Sequence, residues 1–209
     1  MNLATALLFK ALIRDDISAS NIMACIKPGA KVNARVGDDL LTPLMVAAVK
    51  HEREIVQLLI DNGADVNASD INKVTPLMKA AANNEDHEVV KALIDAGADV
   101  NAEDNDGWTA LIYAAAHHPL PGTAVYLILA GADIDHQDER GMTALMAAAY
   151  YNSNPKMVSV LIDLGADIFM RDNDGLSVAD YALLIDSDEE ERAMEVKTYL
   201  VKAALSRSR

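Results

Sequence analysis

The chain has 209 residues and a formal net charge of −14. A surface this acidic repels phosphate backbones and anionic headgroups, so we expect neither nucleic acid nor a membrane as a partner. The lone cysteine, Cys25, excludes an internal disulfide, and no stretch reaches the ~18 apolar residues of a membrane span. We therefore expect a cytoplasmic address, with export without a cleavable signal as the alternative.

Two short phrases recur along the chain in step with each other. Gly-Ala-Asp followed by Val or Ile returns every 34 residues, at Gly63, Gly97, Gly131 and Gly165, with a degenerate copy at Gly29. Thr-Pro-Leu or Thr-Ala-Leu begins at Thr42, Thr75, Thr109 and Thr143, with a weaker copy at Ser177. Two phrases with one period indicate a structural unit that is copied along the chain and packs on its neighbours. Such a stack encloses no deep cleft, which favours recognition over catalysis.

Six units follow one another and are expected to form a single domain over residues 1–209. The N-terminal cap, about 1–34, has at Thr5 a phrase that resembles the one at Thr143, and it has Cys25 at a position that matches buried Leu59 of the next unit. Internal units follow at about 35–68, 69–102, 103–136 and 137–170. The last unit, about 171–209, is the C-terminal cap. It contains a helix whose start is indicated by a capping box of Ser187 and Glu190. Its apolar residues at helical spacing are Ala193, Val196, Leu200 and Ala203.

The sequence of each internal unit predicts a helix, a turn, a second helix and an extended finger. In the unit over 103–136, the hydroxyl of Thr109 can cap a short inner helix. An outer helix is predicted from about Thr123 to Ala130. Gly131 ends it because glycine readily adopts the left-handed conformation of a helix C-cap.

This pattern resembles the ankyrin repeat family over about residues 3–205. The best matches are Thr42-Pro-Leu-Met-Val-Ala-Ala48 with Gly63-Ala-Asp-Val-Asn67, and the corresponding phrases from Thr75 and Gly97. The resemblance implies an all-α ankyrin-repeat solenoid of helix-turn-helix units with extended finger loops, about six repeats including two caps. It also implies a non-enzymatic module that binds a protein partner.

The chain departs from the family pattern at two kinds of position. Met45, Met78, Ile112 and Met146 stand where the family has His after Thr-Pro-Leu, so we expect any hydrogen bond between this residue and the Thr to be absent. Leu40 and Lys73 replace the turn glycine in the first two internal fingers, so the resemblance is weakest at these two tips.

Signatures of enzymes and metal sites are incomplete in this chain. His51-Glu52 and His87-Glu88 begin like a zinc-protease helix but lack the second His. His117 and His118 are expected to form a solvated loop pair, and the carboxylates are expected to be turn and solvent-face residues. We therefore expect no catalytic residue, no cofactor and no metal.

A binding site for a protein is predicted on one face of the stack. Ankyrin family partners usually contact the finger tips and the inner helices, which make a concave face. The matching candidates are Val74, Trp108, Tyr113, His117, Arg140, Met142, Tyr150 and Tyr151. Aromatic side chains with a polar group are frequent interface anchors, so the site is centred on repeats four and five. The alternative is that Trp108 and Met142 simply pack on neighbouring fingers.

The sequence does not distinguish a scaffold from an inhibitor, and it does not identify the partner. One alternative is an exported effector that binds a host protein with the same face. Another is an enzyme with a site in the groove.

The outer helix of repeat four carries a second candidate contact, on the convex face. Val125 and Leu129 stand where other outer helices have polar residues such as Gln57 and Asp61. This predicts an apolar patch for a second partner or a second copy, the alternative being a tolerated exposed patch. We expect a monomer, with weak self-association through repeat four as the alternative.

Overall fold

A computed structural model describes residues 2–14, 16–184 and 189–207. In these ranges the chain folds into helices and has no strand longer than an isolated bridge. The helices are α1 (Leu3–Leu12), α2 (Ala19–Ile26), α3 (Pro43–Lys50), α4 (Arg53–Asp61), α5 (Pro76–Asn83), α6 (His87–Asp95), α7 (Ala110–His117), α8 (Gly122–Leu129), α9 (Ala144–Tyr151), α10 (Lys156–Asp163), α11 (Val178–Tyr181) and α12 (Glu190–Arg207). The predicted capping box at Ser187 lies outside the described residues.

The helices belong to two compact units, Met1–Asn105 with α1 to α6 and Asp106–Arg209 with α7 to α12. In the first unit the inner helices α1, α3 and α5 pack side by side, and so do the outer helices α2, α4 and α6. In the second unit α9 packs between α7 and α11, and α10 packs against α12. Consecutive helices contact each other as the pairs α1–α2, α3–α4 and α5–α6 in the first unit and α7–α8 and α9–α10 in the second.

The Thr phrase begins the inner helices, as predicted. The hydroxyl of Thr109 accepts the backbone N–H of Ile112 at 3.4 Å, and Thr42, Thr75 and Thr143 make the corresponding bond at 3.3 Å. Small alanines fill the interior behind these caps, and those of α7 and α9 are buried. Because the alanine side chains are small, neighbouring inner helices can approach each other closely.

The N-terminal cap differs from this pattern. Helix α1 begins at Leu3 with Asn2 as its cap, so Thr5 does not start this helix although its phrase resembles the one at Thr143. Thr5 lies inside α1, buried, and its hydroxyl accepts the backbone N–H of Lys31 at 2.9 Å. The hydroxyl ties the end of the cap to its first helix.

The Gly-Ala-Asp phrase ends the outer helices and links one repeat to the next. Gly131 has φ +95°, its N–H donates to Ile128 O, and the N–H of Ala132 donates to Leu127 O, both at 3.0 Å. These are the two bonds of a Schellman C-cap. In the first unit the Asn that follows the phrase extends the link: Asn67 Nδ2 donates to Gly97 O at 3.0 Å and Asn67 Oδ1 accepts the N–H of Asp99 at 2.8 Å.

Buried amides satisfy the C-terminal carbonyls of the inner helices. Asn84 Nδ2 donates to Ala48 O and His51 O, each at 2.9 Å. Asn152 Nδ2 donates in the same way to Ala115 O and His118 O, at 2.8 and 2.9 Å. Because the last carbonyls of a helix have no partner inside it, these bonds fix the stacking of neighbouring repeats.

The two departures from the family pattern have structural outcomes. Of the four positions at which a bond was expected to be absent, the expectation is wrong at Met45 and Met78, because the N–H of Thr42 lies 3.4 Å from Met45 Sδ and that of Thr75 lies 3.3 Å from Met78 Sδ. Sulfur is a weak acceptor, so the bond is weakened rather than absent. At the finger tips, Leu40 and Lys73 adopt φ +59° and +62°, the left-handed region that the glycines of other fingers occupy.

Cys25 is only partly buried, so the prediction of a fully buried thiol is wrong. It lines a groove of about 360 Å³ between α1 and α2, together with Leu3, Leu7, Ala24 and Pro28. Its counterpart Leu59 is fully buried because α4 has α6 as a further neighbour in the unit.

Candidate functional site

Aspartates recur in the fingers with the 34-residue period, at Asp70, Asp104, Asp138 and Asp172, and all four are buried. One carboxylate oxygen of Asp138 accepts the backbone N–H groups of Arg140 and Met142, both at 2.8 Å. Asp70 and Asp172 bind their own fingers in the same way. The prediction that the carboxylates lie on solvent faces is therefore wrong for these four residues.

For three of these four aspartates, the partner of the second carboxylate oxygen differs from one repeat to the next. Asp70 Oδ2 lies 2.9 Å from Lys79 Nζ, and Tyr181 Oη donates to Asp172 Oδ2 at 2.6 Å. Burial, and after it the bond to Asp172, raises the pKa of Tyr181. In the third case Trp108 Nε1 donates to Asp138 Oδ2 at 2.9 Å. The indole is thereby fixed to the finger of the following repeat.

For Asp172, burial acts to raise the pKa of the carboxyl group. The hydrogen bonds from Tyr181 and from the backbone N–H groups of its finger outweigh burial, so this pKa lies below its usual value. The finger carboxylate stays ionised at neutral pH and accepts hydrogen bonds throughout.

Trp108, in the finger just before α7, is the centre of a group of rings that includes side chains of α7 and α9. Its ring centroid lies 5.2 Å from that of Tyr113, 5.9 Å from His117 and 6.1 Å from Tyr151. The rings of Tyr150 and Tyr151 are in edge contact at 4.8 Å. We call these five residues the aromatic cluster. Their edge-to-face and tilted arrangements are those that aromatic pairs prefer.

The aromatic cluster combines fixed and accessible rings. Trp108 and Tyr113 are half-buried, while Tyr150 and Tyr151 are 39% and 42% exposed. His117 is exposed, but burial of its ring against the cluster lowers its pKa, because a partly desolvated imidazole is harder to charge. At neutral pH the cluster is therefore an uncharged surface with hydroxyl and imidazole groups at its rim.

The C-terminal cap supports one side of the aromatic cluster. The ring of Tyr150 contacts that of buried Tyr181 at 5.8 Å. Arg192 of α12 donates from Nη2 to Tyr150 O at 2.8 Å and to Ala149 O at 3.3 Å, and it pairs with Glu189. These bonds hold the last carbonyls of α9, so the two exposed tyrosines stand on a supported helix end.

Comparison with protein-family models matches most of the chain. A model of three ankyrin repeats matches residues 44–122, a model of many ankyrin repeats matches residues 127–182, and a single ankyrin repeat model matches residues 106–139. The chain belongs to the ankyrin repeat family. The predicted all-α ankyrin-repeat fold is thereby confirmed, and ankyrin repeats indicate a protein–protein interaction module. A comparison with curated proteins found no match.

All five residues of the aromatic cluster lie inside the matched ankyrin repeats, whereas α12 lies beyond them. Two other predicted site residues of this ankyrin repeat protein contact Asp138 through their backbones. Of these, Arg140 is exposed, but Met142 is only 5% exposed and offers little surface to a partner. Val74 is half-buried and lies in the first unit, in the finger held by Asp70.

Val125 and Leu129, the two residues predicted to form a second contact, lie on α8. Leu129 is 75% exposed and Val125 is half-buried. The adjacent loop holds His118, which is buried: the N–H of Leu120 donates to its Nδ1 at 3.1 Å, and Thr123 Oγ1 lies 3.2 Å from its Nε2. The prediction of a solvated histidine pair is therefore wrong for His118.

The described residues contain no group of three or more His, Cys, Asp or Glu side chains that could hold a metal ion. None of the helices over these residues is both long and apolar enough to cross a bilayer.

Sequence reasoning missed Asp138 as a functional residue, although it recurs with the 34-residue period. That period is the signal that could have found it. The period alone does not distinguish a solvated aspartate in a turn from a buried aspartate that accepts hydrogen bonds.

Proposed function

We propose that this ankyrin repeat protein binds a protein partner through the aromatic cluster of its second unit and catalyses no reaction. The observation that carries the proposal is the set of contacts around Trp108, whose indole is held by Asp138 and surrounded by Tyr113, His117 and Tyr151. Aromatic residues of this kind contribute most of the binding energy in many interfaces.

A preorganised cluster supports binding because little conformational freedom is lost when the partner docks. Trp108 is fixed by a 2.9 Å hydrogen bond to a carboxylate that itself accepts two backbone N–H groups. Tyrosine and tryptophan have only two side-chain torsions, so ordering them on binding costs little entropy. The exposed edges of Tyr150 and Tyr151 supply the accessible contact area.

The partner segment that suits this surface is basic and partly apolar. The net charge of −14 attracts a cationic segment over long range. Glu139 is exposed beside Asp138 in the finger that holds Trp108. A lysine or arginine of the partner can place its charge over an aromatic face and its stem along the ring, and His117, being neutral, does not oppose it.

The non-enzymatic part of the proposal rests on how the titratable groups beside the cluster are engaged. The carboxylate of Asp138 accepts three hydrogen bonds and so serves as a structural acceptor. His117 stacks on Trp108 and contacts the rings of Tyr113 and Tyr151. General acid–base catalysis needs such groups within reach of a reacting atom, whereas here they hold rings.

The proposal is tested in two steps. The wild-type protein and a Tyr150→Ala, Tyr151→Ala variant are used for affinity capture from the cell that produces the chain, and any protein retained by the wild type alone is purified. That protein is then titrated against both forms by calorimetry. Removal of two anchor rings is expected to weaken binding by at least about tenfold, the size of a hot-spot loss.

Leu129→Ala is the matched control, because it removes an exposed apolar side chain from α8 and leaves the aromatic cluster intact. Circular dichroism establishes that each variant is folded. Equal affinity of the purified partner for the wild type and the double tyrosine variant would refute the proposal.

A further inference from the structure

The C-terminal helix α12 presents apolar residues on two sides. Its buried residues are Ala193, Val196, Leu200 and Ala203, and α12 packs against α10. Met194, Val201 and Leu205 are 67%, 59% and 66% exposed. A rotation of about 100° per residue places these three about 150° around the helix from the buried set. The exposed residues therefore form a separate face.

The spacing of this face is that of a helix-pairing seam. Met194, Thr198, Val201 and Leu205 follow one another in steps of four, three and four residues. We call these four residues the α12 stripe. Alternating steps of three and four residues place side chains in the a and d positions of a heptad, the positions that interlock between two paired helices.

The charges beside the α12 stripe select both the partner and the direction of pairing. Glu195 and Lys202 occupy the same flank, the e positions, and Lys197 occupies the opposite flank. In an antiparallel pair of two copies, e positions face each other, so Glu195 of each copy meets Lys202 of the other. A parallel pair would instead bring Lys197 of one copy towards Lys202 of the other, which is repulsive.

We propose that the α12 stripe is a self-association surface that pairs with the α12 stripe of a second copy in antiparallel orientation. A two-fold axis near the middle of the stripe places Met194 of one copy against Leu205 of the other, and Thr198 against Val201. Such a contact is isologous, with the same residues on both sides. It also joins two acidic chains where their local charges are complementary.

The apolar character of the C-terminal cap supports this surface. Here the segment after α11 also exposes Leu183 and Leu184. The predicted patch on α8 has exposed Leu129 but no charge between Thr123 and Ala130, so nothing there specifies a second copy or an orientation.

The size of the stripe determines the strength of the contact. It extends over about three helical turns, so the pair buries less than the ~1,200 Å² of a standard stable interface. We expect a reversible dimer with a dissociation constant between about 10 µM and 1 mM.

A charge exchange tests the proposal on the full chain. Sedimentation velocity over a concentration series is expected to show a monomer–dimer equilibrium for the wild type. Glu195→Lys, or Lys202→Glu alone, places like charges across the pair and is expected to weaken dimerisation by about tenfold. The Glu195→Lys, Lys202→Glu double variant restores the opposite charges and is expected to return within about threefold of the wild type.

Controls on two helices distinguish the surfaces, with circular dichroism as the check of folding. Val201→Glu introduces a charge into the α12 stripe and is expected to abolish the dimer, whereas Leu129→Glu on α8 is expected to leave it unchanged. A wild type that stays monomeric to about 1 mM would overturn the proposal. So would a dimer that survives Val201→Glu, a dissociation constant that Glu195→Lys leaves unchanged, or a double variant that dimerises no better than the single ones.

Discussion

Replacing Asp138 with alanine tests whether the finger of repeat five holds Trp108 in place. The carboxylate accepts the N–H of Arg140 and of Met142 at 2.8 Å and the indole N–H at 2.9 Å. Asp138 is buried, so water does not readily replace it as the acceptor. Alanine leaves three donors without this partner, two of them in the backbone of a tight finger.

The expected loss follows from counting these bonds. A hydrogen bond contributes about 1 kcal/mol net to stability, so Asp138→Ala is expected to lower the free energy of unfolding by about 3 kcal/mol. Asp138→Asn retains an oxygen for the two backbone N–H groups but turns an amide N–H₂ towards the indole N–H. Its expected loss is about 1 kcal/mol, confined to the Trp108 bond.

Urea unfolding followed by circular dichroism measures these free energies. The emission of Trp108, the only tryptophan, should shift to longer wavelength in both variants as the indole becomes more exposed to water. Glu139→Ala removes a neighbouring exposed carboxylate and is expected to change stability by less than about 0.5 kcal/mol. If Asp138→Ala cost less than about 1 kcal/mol and left the emission unchanged, the bonds to Asp138 would not be what fixes the indole.

Further predictions concern backbone strain and pH. Lys73→Gly should raise the unfolding free energy by about 1 kcal/mol, because Lys73 has φ +62°, whereas Lys73→Ala should not; a stability loss in Lys73→Gly would contradict this. Gly141→Ala should cost more than Gly175→Ala in the same urea assay, since an added Cβ at Gly141 meets the backbone N of Asn173 at 2.8 Å and one at Gly175 meets nothing within 4 Å. Burial lowers the pKa of His117 in the folded protein below its ordinary value of 6.5. The neutral imidazole therefore contributes stability above pH 6.5, and this contribution is lost as the pH falls through the pKa that His117 has in the folded protein. His117→Gln should flatten that part of the pH–stability curve, and an unchanged curve would remove His117 as its cause.

Local signals in the sequence were sufficient to predict the starts of the inner helices α3, α5, α7 and α9. Thr109 and Gly131 mark the start of an inner helix and the end of an outer one, and the predicted outer helix from about Thr123 to Ala130 differs by one residue from α8 at each end. Capping is decided by side chains within four residues, which is why the repeat phrases are reliable there.

Contacts between repeats were harder to predict. The bond from Trp108 to Asp138 joins residues 30 positions apart, and the amide of Asn152 reaches Ala115 across a whole repeat. The left-handed conformation of Lys73 was also missed, because the surrounding finger imposes it on a residue that does not favour it.

The C-terminal cap shows a further limit of sequence reasoning. The helical spacing of Ala193, Val196 and Leu200 indicated the buried side of α12, yet Val201 and Leu205 are also apolar at helical spacing. Which of the two faces meets α10 is decided by packing, and only the burial of each residue separates them.

The central claim is that the aromatic cluster binds a protein partner, and calorimetric titration of the purified captured partner tests it most directly. Wild type, the Tyr150→Ala, Tyr151→Ala variant and Leu129→Ala are compared under one set of conditions. We expect the double tyrosine variant to bind at least about tenfold more weakly and Leu129→Ala to bind like the wild type. Equal binding by all three, or a loss in Leu129→Ala alone, would contradict it.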